Sequence, residues 1–275
     1  MPLLPIVTLW SCLLAAMLAL PVADARAEPA PAGRILYFNP EISIDNFLVL
    51  EEKFNAFLAE KGKTRFTPAS TIATFEKELS GKPDGAQLLL ISSWYYKSLR
   101  DTTRLRPLLI GTRNGMTSQK KVLVVRKEEK DPGDGINIAS ATSQEFASQL
   151  LDEMAARSKT PLPKRFGILR VPKDLDALMS VAFGMADAAL AAEHGWRHLR
   201  QINPTQFERL RMLAESREIP LPILAVNEAR ADRDAALADP LRAMNQSEKG
   251  ETALRLLGLD GFRPPTPAEE QFLNQ

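Results

Sequence analysis

The sequence predicts an α/β protein of two lobes, each a mostly parallel sheet flanked by helices, with hinge strands joining them. Three observations predict it. Short strand-type runs alternate with helix-period segments from residue 34 to residue 226. The run Gly85-Ala-Gln-Leu-Leu-Leu-Ile91 is continuously apolar, as expected of a strand buried on both faces. A polar break at Glu128 to Gly135 and a late strand at Pro220 to Val226 supply two passages of the chain between lobes.

The elements follow in order. Arg34 to Phe38 reads as a strand broken by Asn39-Pro40, and Ser43 caps a helix with Phe47, Leu50, Phe54 and Phe57 on one face. Lys63 to Phe66 is a short strand, and Ser70 to Leu79 a helix closed by Gly81. The strand ending at Ile91 runs into Ser92-Ser93-Trp94-Tyr95-Tyr96, whose aromatics suit a pocket wall or the core. Leu105 to Gly111 is a strand before the turn Arg113-Asn114-Gly115, and Lys121 to Arg126 is a β-branched strand. Arg165 to Val171 is a strand, followed by a helix from Asp174 that Gly184 ends at the position favouring glycine. Met185 to Leu190 is a strand carrying Asp187, helix continues through Arg217, and Asp239 to Leu257 is helical. Arg263 to Pro267 reads as a loose, Pro-rich stretch. The expected boundaries are a signal peptide over 1–27, the first lobe over 28–126, the second over 127–219, and the return strand with the rest of the first lobe over 220–275.

The N-terminus carries no charged side chain before Asp24, has an apolar core from Leu3 to Leu20, and offers Ala25-x-Ala27 as a signal-peptidase site. Cleavage after Ala27 is expected, with an uncleaved anchor as the alternative because the apolar run is long enough to span a bilayer. Either places the rest of the chain outside the cytoplasm. The one cysteine, Cys12, lies in this segment, so no disulfide is expected in the mature chain. A formal net charge of +1 excludes a global field toward nucleic acid or anionic membrane. His194 and His198, the only histidines, stand at i, i+4 spacing without an evident third ligand, so no metal and no cofactor are expected. No nucleophile elbow, phosphate loop or dinucleotide fingerprint occurs, and no enzyme activity is expected.

One stretch organises the rest. Ile136 to Glu145 opens as a strand, passes a hydroxyl-rich turn (Ser140, Thr142, Ser143), and starts a helix through the capping-box spacing Thr142-x-x-Glu145. Free backbone N–H groups and the helix dipole there favour an anion; simple capping is the alternative reading. Ligands in such sheets sit beyond the carboxyl ends of strands. Those positions here are Asn39-Pro40, Ser92 to Tyr95, Ser140 to Ser143, and Asp187.

These segments give the chain a family likeness. It resembles the periplasmic phosphate/phosphite/phosphonate-binding proteins of ABC importers, within the type II periplasmic binding protein fold. The likeness is carried by Leu108 to Gly115, Val122 to Lys127, Ala141-Thr142-Ser143, Ala177 to Ala189 and Leu213 to Pro220. The resemblance implies that Thr142 and Ser143 match the family's phosphoryl-holding turn; Ala141 and Gln144 stand where the family has serine and glycine. It implies that Tyr95 or Tyr96, beside Ser92 and Ser93, matches a tyrosine-bearing loop, and that Asp187 matches the family's aspartate. The expected ligand site is Asn39, Ser92, Ser93, Tyr95, Ser140, Thr142, Ser143 and Asp187. The implied role is an exported, monomeric solute-binding protein in the periplasm. It would close on a small anion and deliver it to an inner-membrane ABC permease. The alternative is a ligand-sensing or interaction module on the same fold that signals to a membrane partner.

Overall fold

Alternating burial along the strands builds two sheets, each covered on both faces. In the computed structural model the described residues are 33–42, 47–62, 64–81, 86–129 and 132–274. The expected signal peptide over 1–27 and the expected cap Ser43 lie outside them. No helix among the described residues is long and apolar enough to cross a membrane.

The chain begins with β1 (Gly33–Phe38), α1 (Phe47–Leu58), β2 (Thr64–Pro68), α2 (Ile72–Ser80), β3 (Ala86–Ile91), α3 (Ser93–Thr103) and β4 (Leu105–Thr112). A short β5 (Ser118–Gln119) leads to β6 (Lys121–Arg126), β7 (Ile136–Ser140), α4 (Gln144–Ala155), β8 (Phe166–Arg170), α5 (Asp174–Ala182) and β9 (Ala188–Ala192). Then come α6 (Glu193–Ile202), α7 (Pro204–Glu208), β10 (Leu210–Glu215), β11 (Ile219–Pro220) and β12 (Ile223–Asn227). Short helices α8 (Ala231–Asp234) and α9 (Asp239–Arg242) precede α10 (Glu248–Leu256), β13 (Gly261–Arg263) and α11 (Pro267–Leu273).

The first sheet has the order β13-β4-β12-β3-β1-β2 and the second β10-β6-β9-β7-β8. In the first, β2, β1 and β3 are parallel, and the return strand β12 lies antiparallel between β3 and β4. In the second, β8, β7 and β9 are parallel while β6 runs against β9 and β10. Period-two alternation sorts each strand's side chains. Ile35, Tyr37, Leu88, Leu90 and Leu224 meet Leu50, Phe54 and Phe57 of α1 on one face, and Leu36, Phe38, Leu89 and Ile91 meet Phe75, Tyr95 and Tyr96 on the other. Phe54 stacks on Phe66 with ring centroids 4.0 Å apart. In the second sheet Val122, Val124, Ala189 and Ala191 face α5, and Leu123, Val125, Ala188 and Leu190 face α4. Each such fully buried Leu or Phe contributes about 1.5–3 kcal/mol.

Several expectations are revised. β6 lies in the second sheet, so the chain leaves the first lobe before Lys121 rather than after Arg126; the polar stretch beyond Arg126 is a loop within the second lobe. The two passages run side by side, with Ile219 opposite Gln119 in the antiparallel β5–β11 ribbon. Ser92 to Tyr96 is the start of helix α3, not a loop. The segment expected to be helical through Arg217 contains strand β10, because pairing with the exposed edge of β6 overrides the helix preference of Arg-Met-Leu-Ala-Glu. The C-terminal stretch is ordered: β13 pairs with β4, and a Thr266/Glu269 capping box starts α11. Arg263 donates to Glu269 at 2.7 Å, and Arg100 donates to the Leu273 carbonyl at 2.9 Å.

Candidate functional site

The carboxyl ends of β1, β2 and β3 in one lobe face those of β7, β8 and β9 in the other. A cleft of about 400 Å³ lies there, lined among others by Asn39, Ser70, Thr71, Ser143, Glu145 and Arg170. Two helices begin at it. Thr71 caps α2, its hydroxyl accepting from the Thr74 N–H at 3.1 Å, and Ser143 caps α4, accepting from the Phe146 N–H at 3.2 Å. Arg170, exposed at the end of β8, adds a cation, and Glu145 in the first turn of α4 adds a carboxylate.

The hydroxyl-rich turn is more specialised than its sequence suggests. Ser143, not Thr142, is the helix cap. Thr142 and Ser140 are fully buried with their hydroxyl oxygens 3.0 Å apart. The Ser140 hydroxyl donates to the Leu190 carbonyl at 2.8 Å and accepts from the Thr142 N–H at 3.2 Å. These two side chains hold the turn against β9, and Ser143 is the one that reaches the cleft.

Around α3 the expected residues also divide. Ser92 is the buried cap, accepting from the Tyr95 N–H at 3.2 Å. Tyr95 points into the core: its ring meets Phe38 and Phe75 at centroid distances of 5.1 and 5.3 Å, and its hydroxyl donates to Glu76. Tyr96 is core as well, donating to the Leu105 carbonyl. The aromatic that faces the other lobe is Trp94, 6.2 Å from Phe146 and donating to Gln149. Trp94 lines a second, smaller cavity of about 180 Å³ with Ser93, Lys97, Phe146 and Arg217. Asn39 is buried and its carboxamide oxygen accepts from the Glu41 N–H at 2.9 Å, fixing the loop after β1.

Asp187 is not at the cleft. It precedes β9 and accepts from the Asn137 N–H at 2.8 Å, at the amino end of β7, whereas Ser140 ends the same strand. A backbone pair (Asp187 N–H to the Asn137 carbonyl, 3.0 Å) completes this clip. The carboxylate expected beside the cleft is a register clamp at the opposite, amino end of the parallel strands.

Sequence reasoning missed the charged groups that meet between the lobes. Glu41 is 1% exposed. Burial pushes its carboxyl up to about 7, against the pull of Lys121, the Trp94 N–H, the Ser92 hydroxyl and Arg113. Lys121, equally buried, opens β6 with its ammonium 3.5 Å from Asp174. Burial works to raise the Asp174 carboxyl, but Lys121, the Ala192 N–H and His194 outweigh it and hold it below its ordinary value. Burial lowers both Arg113 and His194, and the Arg113 guanidinium pushes the His194 imidazole down further. The visible signal was a lysine at the head of an otherwise apolar strand; Glu41, after Asn39-Pro40, offered no pattern. Among the described residues no cluster of His, Cys, Asp or Glu is placed to hold a metal ion.

This geometry, two lobes meeting at strand ends with capped helices at a polar cleft, agrees with the comparisons. Residues 38–269 match the family of periplasmic substrate-binding proteins of ABC phosphonate transporters. The chain belongs to that family. Its fold is shared with XAC2383 from Xanthomonas citri, solved with chloride (TM-score 0.61, 17% identity, 88% of this chain and 95% of that one). It is shared with a binding-protein component of an ABC phosphonate transporter from Pseudomonas aeruginosa (0.56, 13%, 88% and 85%). It is shared too with PhnD1 from Prochlorococcus marinus, solved with methylphosphonate (0.55, 15%, 89% and 96%). No curated protein matches by sequence. Membership makes the chain a substrate-binding component of an importer, and the family is periplasmic.

Proposed function

We propose that the protein captures a small phosphorus oxyanion of the phosphate, phosphite or phosphonate class between its lobes and delivers it to an ABC permease in the inner membrane. The observation that carries this is the convergence of two capped helix N-termini, α2 from one lobe and α4 from the other, with Arg170 on a single cleft. In this reading Ser143, Thr71 and Arg170 hold the oxyanion, Asn39 shapes the wall, and Ser140 and Thr142 support the turn. The protein does no chemistry on the ligand. It acts as a monomer whose lobes turn about the β5–β11 ribbon. It reaches the periplasm after cleavage behind Ala27, which the mass of the exported chain checks.

Calorimetric titration and thermal unfolding with phosphate, phosphite, methylphosphonate and sulfate test the role. A ligand at a hundred times its dissociation constant adds about 2.7 kcal/mol, or about 5–10 °C for a chain of this size. The shift is expected with a phosphorus oxyanion and is expected to be lost in Ser143→Ala. Silence toward every phosphorus compound would sink the proposal. It would favour the second reading, a sensing or interaction module. One observation speaks for that reading: the loop after β1 already contacts both lobes, its Pro40 carbonyl accepting from the Ser143 N–H at 2.9 Å.

A further inference from the structure

The smaller cavity, about 180 Å³, lies where three parts of the chain meet: α3 and α11 of the first lobe, α4 of the second, and the return passage from Arg217 to Pro220. Its inner wall is aromatic. Trp94 packs against the cores of both sheets, and its ring stands edge to face with Phe146, 6.2 Å between centroids. Lys97 and Phe272, both exposed, form the mouth, with the Lys97 ammonium 4.6 Å from the Phe272 ring centroid.

The charges around this cavity are unevenly committed. Of its two carboxylates, Glu153 is held by Arg217 at 2.7 Å and by Arg157 at 3.5 Å, and Glu218 accepts from the Ser118 hydroxyl at 2.7 Å. Arg217 is thereby engaged. Lys97 is not: among the described residues it makes no ion pair or hydrogen bond, and its ammonium has the Phe272 ring alone. Flat apolar walls with one uncommitted cation at the rim suit a ligand with a planar apolar body and a single negative charge. A cationic ligand would find both carboxylates taken and a lysine beside it.

We propose that this cavity is a second ligand site, separate from the oxyanion cleft, that takes a small aromatic carboxylate, its ring against Trp94 and Phe146 and its carboxylate on the Lys97 ammonium. Occupancy bears on the cleft through α4. Ser143, the cap of that helix, lines the cleft, and Phe146 and Gln149 farther along it line the cavity. Gln149 already accepts from the Trp94 indole across the lobes. A ligand resting on walls from both lobes favours the arrangement in which they touch, and so strengthens binding in the cleft between them. This coupling rests on the reading that the cleft takes an oxyanion; the cavity site does not.

The test is calorimetric titration of the protein with benzoate and with benzylamine. Benzoate should saturate a single site, and benzylamine should not bind. Lys97→Met should weaken benzoate about tenfold or more, the value of one charge-assisted hydrogen bond, with the unfolding temperature unmoved because the side chain is exposed. Lys97→Arg, which keeps the charge, should bind benzoate nearly as the native protein does. Absence of saturable benzoate binding overturns the proposal. So does benzoate binding that Lys97→Met leaves intact, or benzylamine binding as tightly as benzoate.

Titration of methylphosphonate with and without saturating benzoate reads the coupling. Its affinity should rise about fivefold or more in the native protein and stay unmoved in Lys97→Met at the same benzoate concentration. A methylphosphonate affinity indifferent to benzoate overturns the coupling. Methylphosphonate failing to bind while benzoate binds as expected sinks the proposed function and the coupling with it, and leaves the cavity site standing.

Discussion

The N-termini of α3 and α4 invite comparison because the sequence makes them alike. Each follows a buried parallel strand, and each has a serine cap. Their occupants differ. At α3 the chain supplies a carboxylate, backed by Lys121 from the other lobe. At α4 it supplies one carbonyl, from Pro40, and leaves the Ser143 side facing open cleft with Arg170. A helix N-terminus is therefore not a binding site by virtue of its dipole alone. What decides is whether the fold brings its own anion there.

The largest way to break this contrast is to remove the cation on the α3 side. Lys121→Met leaves Glu41 and Asp174 without their shared partner, and breaking such a buried group should destabilise the protein by about 3–5 kcal/mol, read as a lower urea midpoint. Adding Glu41→Gln should restore part of the loss, because the two sites are coupled.

The second effect is on pH. The Glu41 carboxyl stands at about 7 in the folded protein against an ordinary 4.5. The folded state therefore keeps a proton that the unfolded state has released. The stability this confers is complete below pH 4.5 and declines as pH rises through 7, by about 3 kcal/mol in all. Carboxylates held low, such as Glu269 at about 2 beside Arg263, act in the opposite sense at more acid pH. The difference between the native protein and Glu41→Gln isolates the Glu41 part; parallel curves would show that its charge is indifferent to folding.

On the α4 side the effects fall on binding. Arg170→Ala should weaken the oxyanion by about 1.5–3 kcal/mol, near ten- to a hundredfold, with little change in unfolding because the side chain is exposed. Ser143→Ala and Ser92→Ala should each cost about 1 kcal/mol of stability as lost caps. Only the first should also reduce ligand affinity in titration, and equal losses of affinity would erase the distinction between the two helices. The smallest effect is expected at Asp187→Asn: affinity unchanged and stability within about 0.5 kcal/mol, since the carboxamide oxygen can still accept from Asn137.

Much of this architecture was legible in the sequence because it is local. Strand and helix periods located β1, β3, β6, β7 and α1, the glycine at position 184 (φ 75°) closed α5, and the hydroxyl turn marked the start of α4 within one residue. β10 escaped because its residues prefer helix and only the edge of β6 makes them a strand. Tyr95 and Asp187 were placed at the cleft from position along the chain. Which face a helix turns inward, and which end of a strand a residue begins, sent both elsewhere.

By itself the sequence determined the alternation of strands and helices, the return passage near Pro220, and the start of α4 to within one residue, because each depends on neighbours a few residues apart. Only the tertiary structure decided that Glu41 and Lys121, eighty positions apart in the chain, share one buried site and that Ser143 rather than Thr142 meets the cleft. Electrostatic partnership across a cleft depends on distance in space, and a linear pattern carries no record of it.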